Sequence, residues 1–173
     1  TIIWVFFAGF GSPAALISGF IFGKYLGTFI VVLGLTFGAT FLYIFANYFL
    51  KNFIKEKFLF KFQNLESKFK KNEFIYFLLY RFIGGIPLVI ANLLPVIFNI
   101  RIKNYFFGTF IGIIPQLFLI ASLGNGLNKI IQQNETVPSI TDLLFSSEIY
   151  IPILAFIFIV LITIFIRKFF YKN

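Results

Sequence analysis

Arg81 is the residue in this sequence best placed to do chemistry, because it is the lone charge in the apolar stretch from Phe74 to Ile100. It lies seven positions past Phe74, roughly 10 Å along a helix. A guanidinium at membrane depth costs roughly 2.5–3.5 kcal/mol on insertion scales unless it snorkels or finds a partner. It stays charged at any physiological pH, and its fork of N–H donors matches a phosphate bidentately. Two readings follow: Arg81 meets an anionic group inside the membrane, or it snorkels to the cytoplasmic interface and anchors its segment. Asn92, just past Pro87, and Gln116, beside Pro115, each offer amide donors and an acceptor. Either lines a polar path, or each satisfies carbonyls freed by the neighbouring proline. Arg81, Pro87, Asn92 and Gln116 are therefore the candidate substrate-binding set, with Ser12, Ser18 and Asn47 as weaker candidates of the same kind.

The missing residue types are as informative. With no Cys and no His, the chain lacks thiol nucleophiles, disulfides, zinc sites built on those ligands and imidazole acid–base chemistry. No carboxylate falls in an apolar stretch: Glu56, Glu66 and Glu73 flank the middle of the chain, and Glu135, Asp142 and Glu148 lie in a polar stretch near its end. The expectation is no metal, no cofactor and no enzymatic activity.

The elements that must position Arg81 are set by the solvent. The 173 residues are 60% hydrophobic and 12% charged, about half the charged share of a soluble domain. Too few charges remain to cover a polar exterior, so the surrounding medium must be lipid. The net charge of +9 could signal nucleic acid, but the basic residues flank apolar stretches, so membrane lipids and not nucleic acid are the expected partners.

Residues 25–50, 105–123 and 150–166 are uncharged and each long enough to cross a ~30 Å hydrocarbon core. Two other apolar stretches are split near their middles, residues 1–23 at Gly11-Ser12-Pro13 and residues 74–100 at Gly84-Gly85-Ile86-Pro87. Each half is too short to span alone, so both read as re-entrant hairpins with Gly11, Ser12, Pro13, Gly84 and Gly85 at the turns. Such turns belong inside protein, away from lipid. Residues 51–73 place Ile54, Phe58, Phe62, Leu65 and Phe69 on one helical face among seven lysines. That is an amphipathic helix, lying in the membrane interface or packing as a solvated linker.

The chain thus reads as a single all-α integral membrane domain over 1–173, with two inverted re-entrant hairpins, about three transmembrane helices and one interfacial helix. With residues 51–73 inside, twelve of the fifteen basic residues face the cytoplasm, residues 124–149 form an external loop, and the C-terminus is cytoplasmic. The inversion is echoed in sequence: Gly11-Ser12-Pro13 precedes Gly27-Thr28-Phe29-Ile30, and Gly85-Ile86-Pro87 precedes Gly108-Thr109-Phe110-Ile111. The opening Thr1, in place of Met, leaves room for a preceding segment up to a first membrane helix. No cleavable signal pattern is visible.

These motifs carry a resemblance. Arg81, Pro87 and Asn92 read R-x5-P-x4-N, followed by Gly108-Thr109-x-x-Gly112-x-x-Pro115 and Gly124, with Pro13 and Gly19-Phe20-x-Phe22-Gly23 in the first hairpin. Over roughly residues 5 to 128 the chain resembles the DedA/VTT-domain family, also called the SNARE-associated Golgi protein family. The resemblance implies two facing re-entrant hairpins plus spans, in proteins regarded as lipid scramblases, polyprenyl-phosphate flippases or membrane-homeostasis factors. The sequence departs from the pattern at Gly84, where many members carry a further Pro. It departs again at Ala14-Ala15, where proton-dependent members carry an acid, which argues against proton coupling. The expectation is a multi-pass protein of the inner (plasma) membrane that moves a phospholipid or lipid phosphate between leaflets. The rival readings are a non-transporting scaffold and a small-solute or ion transporter.

Overall fold

The computed structural model describes residues 11–53, 56, 72–83, 88–133, 146–147, 149–155, 157–158 and 161–162. The described residues form helices and no strand: α1 (Gly11–Phe49), α2 (Glu73–Ile83), α3 (Leu88–Ile97), α4 (Ile102–Gly112) and α5 (Ile114–Gln133), with a further helical stretch at 149–155. Two runs are long and apolar enough to cross a membrane, α1 and the α4–α5 run Ile102–Gln132. Their polarity is arranged for lipid. Thr36, Arg81, Asn92 and Thr109 are buried, while Ile17, Ile21, Phe29, Phe41 and Phe107 are exposed. The chain is a helical membrane protein.

The chain divides into two compact units, one holding Leu33–Ile113 and the other Gly11–Val32 with α5 and the residues after it. In the second unit α1 is broken at Gly23, whose backbone (φ 78°, ψ 169°) lies where only glycine sits without strain. The stretches on either side fold back on each other. Ser18 Oγ donates to the Gly27 carbonyl at 3.1 Å, although residues nine apart in a straight helix would be roughly 13 Å distant. A Cβ on Gly27 would lie 2.5 Å from the Ser18 carbonyl oxygen, so this reversal requires glycine there too. Gly11, Ser12 and Pro13 form the first turn of α1, where Pro costs no hydrogen bond. The arm expected to precede them lies outside the described residues.

α5 packs against residues 11–22 at backbone distance: a Cβ on Gly19 would lie 2.0 Å from the Ala121 carbonyl oxygen, and one on Gly124 2.0 Å from that of Leu16. Asn128 Nδ2 donates to the Phe20 carbonyl at 2.5 Å, close to the break at Gly23. These contacts extend helix through residues 124–133, where the fall in hydropathy had suggested the start of an external loop. Between α4 and α5 the ladder is interrupted at Ile113, two residues before Pro115, whose ring nitrogen has no hydrogen to give.

In the Leu33–Ile113 unit, α2 is preceded by Asn72, whose Oδ1 accepts the Ile75 N–H at 3.2 Å. α3 ends in a turn through Asn99 (φ 50°), a residue type that tolerates the left-handed region. Glu73 then closes the base of this segment, accepting the Arg101 N–H at 2.5 Å and pairing with the Arg101 guanidinium at 3.9 Å. Gly84, Gly85 and Pro87, and most of the expected amphipathic helix at 51–73, lie outside the described residues.

Candidate functional site

The site is built on three helices of the Leu33–Ile113 unit. Arg81 comes from the last turn of α2, Asn92 from the middle of α3 and Tyr105 from the first turn of α4. Gly108 and Gly112 let α2 approach α4, since Cβ atoms there would fall 2.6 Å from the Phe77 ring and 2.6 Å from Arg81 Cβ. That close approach carries the Arg81 side chain across to Tyr105.

Arg81 is only 6% exposed, and Asn92 and Tyr105 are 0% exposed, so the guanidinium does not snorkel to a surface. Its Nη1 donates to Asn92 Oδ1 at 2.8 Å and its Nη2 to Tyr105 Oη at 2.6 Å. The first of these bonds joins α2 to α3. Tyr105 Oη in turn lies 3.4 Å from Asn92 Oδ1 and 3.5 Å from the Asn92 carbonyl. The guanidinium carbon sits 5.2 Å from the Phe77 ring centre and 5.1 Å from that of Tyr105, within cation–π range of both. Tyr43 of α1 stacks on Tyr105 with centroids 4.2 Å apart, and its hydroxyl donates to the Ile100 carbonyl at 2.5 Å.

Hydrogen bonds to a charged group contribute about 1.5–3 kcal/mol each, and each cation–π contact about 0.5–2 kcal/mol. Together these are enough to offset the roughly 2.5–3.5 kcal/mol insertion cost and keep Arg81 buried. They do not neutralise it. Among the described residues no carboxylate pairs with Arg81, and Glu73 is engaged with Arg101. Arg81 Nε, Asn92 Nδ2 and Thr109 Oγ1 are buried with no partner among the described residues. The Asn92 oxygen faces the guanidinium, and its amide nitrogen meets no carbonyl among the described residues. A guanidinium beside further N–H donors is an arrangement that can hold an anion.

Of the four candidates from sequence, Arg81 and Asn92 come together. Pro87 lies outside the described residues, and Gln116 is half-buried on α5 in the other unit. Tyr105 was not among the candidates. The one available signal was its spacing from Gly108 and Gly112, which puts all three on one face of α4.

The fold and site together define a helical membrane protein that turns its polar groups inward around a buried guanidinium. The VTT domain family model matches residues 10–126, well over half of the 173 residues, and the chain belongs to this family, that of the DedA and SNARE-associated Golgi proteins. No curated protein and no solved structure matches the chain.

Proposed function

We propose that this protein moves a phosphate-bearing lipid between the leaflets of the inner (plasma) membrane, with Arg81 meeting the phosphate. The observation that carries the reading is a buried guanidinium whose hydrogen-bond partners among the described residues are neutral, with its Nε and the Asn92 Nδ2 lacking a partner among those residues. Membership of the VTT-domain family supports a membrane role. In this reading the two inverted hairpins thin the barrier, the acyl chains stay in lipid, and the headgroup passes along polar side chains of the Arg81 unit such as Asn92. No bond is made or broken, so the protein is a carrier and not an enzyme. Its basic segments and C-terminus face the cytoplasm.

Fluorescent-lipid translocation in proteoliposomes tests this, comparing wild type with Arg81→Ala and Arg81→Lys at matched reconstitution. Wild type is expected to exceed empty vesicles and Arg81→Ala to fall to their level. Arg81→Lys should recover only part of the rate, because a compact ammonium lacks the planar fork that pairs bidentately with phosphate. Equal rates in all three would leave transport standing and reduce Arg81 to an anchor. Wild type indistinguishable from empty vesicles would remove transport in favour of a scaffold.

A further inference from the structure

A hydroxyl inside a helix usually hands its hydrogen to the carbonyl four residues earlier. Thr28, Thr40 and Ser122 do so here, to Lys24 at 2.5 Å, Thr36 at 2.7 Å and Phe118 at 2.7 Å. Thr36 and Thr109 do not. They are 0% and 2% exposed, and neither Oγ1 has a partner among the described residues.

Both lie in the same unit as Arg81. Thr109 stands one turn beyond Tyr105 on α4, between the two glycines that touch Phe77 and Arg81. Thr36 shares a face of α1 with Thr40 and Tyr43. α1 is held beside α4 by the stacked Tyr43–Tyr105 pair and by Phe37 against Phe106, centroids 5.2 Å apart. Arg81 on α2, Asn92 on α3, Thr109 on α4 and Thr36 on α1 therefore each bring a buried polar atom with no partner among the described residues. Guanidinium and amide nitrogens can only donate, and a hydroxyl can donate as well. A single group facing all four would have to bring several acceptor oxygens, and beside the guanidinium a negative charge suits it.

We infer that Thr36 and Thr109 complete the Arg81 site as hydroxyl donors to the oxygens of a phosphate group, carried by a lipid headgroup or free in solution. This rests on reading Arg81 as an anion site. Valine has nearly the shape of threonine, so replacement removes the hydroxyl without opening a cavity.

The test is calorimetric titration of the purified full chain in detergent with two probes, inorganic phosphate and a short-chain lipid monophosphate. Thr109→Val and Thr36→Val should each weaken binding about tenfold, the worth of one hydrogen bond to a charged group. Thr109→Ser should restore it, and Thr40→Val, whose hydroxyl is already spent on the Thr36 carbonyl, should bind as wild type does. Binding of both probes supports the inference with free phosphate as a sufficient ligand; binding of the lipid probe alone supports it with the headgroup as the source. If wild type binds and both valine variants bind as tightly, the inference is overturned and the Arg81 reading survives. If wild type binds neither probe, both fall. Should Thr109→Val not fold, Thr36→Val carries the comparison.

Discussion

Tyr105 holds Arg81 in two ways at once, with its hydroxyl as acceptor at 2.6 Å and its ring beneath the guanidinium. Tyr105→Phe separates them by keeping the ring and removing the acceptor. The loss should cost about 1–3 kcal/mol of stability, because a buried charged donor is left without its partner. Tyr43→Phe removes a neutral bond to the Ile100 carbonyl and should cost about 1 kcal/mol, with the stack on Tyr105 intact. Thermal unfolding in detergent measures both, and a Tyr105→Phe loss no larger than that of Tyr43→Phe would assign the hold on Arg81 to the rings. Arg81 and Asn92 could be picked out from sequence because a charge and an amide stand out in an apolar run. Tyr105 could not, since it is one of eight tyrosines in a chain that is 22% aromatic. Tyrosines also gather at membrane interfaces without any role in a site.

At the scale of elements, the site depends on how closely two helices approach. Gly112 faces Arg81 Cβ and the Leu78 carbonyl, so Gly112→Ala must push α2 away or rotate the arginine. Overpacking of this kind costs about 1–3 kcal/mol, and the displacement should slow lipid translocation even where the protein remains folded. Gly19→Ala makes a useful contrast, because its clash is with the Ala121 backbone and both residues belong to the other unit. Compared at equal thermal stability, Gly112→Ala should be the slower translocator; equal rates would mean that packing at Gly112 does not govern the guanidinium. Hydropathy marked residues 25–50 and 105–123 as apolar runs, and these fall within α1 and within α4 and α5, but it did not show the interruption at Ile113. The reversal at Gly23 was harder to see. It is one of 13 glycines, and only the Ser18–Gly27 contact across it shows that the chain turns back there. The helical course of residues 124–133 was equally hidden, because Gly124 and Asn128 favour helix through contacts with distant residues that no local pattern reveals.

At the scale of the molecule, crossing the membrane is a property of whole runs and is read from charge at their ends. The run Ile102–Gln132 is 31 residues long and, by length and composition, sufficient to cross a ~30 Å hydrocarbon core. Arg101 and Lys103 stand at one end and Lys129 near the other, all exposed. The excess of basic residues on the Arg101 side predicts that this end faces the cytoplasm. The absence of cysteine makes the test direct, because single substitutions need no cleared background. Lys103→Cys should react with an impermeant thiol reagent in inside-out vesicles and stay protected in right-side-out ones, and Lys129→Cys should do the reverse. Labelling of both from one face would mean that the run bends back at Ile113 instead of crossing. The inverted pairing of hairpins would then fail too, since it needs α4 and α5 to carry the chain from one side of the membrane to the other.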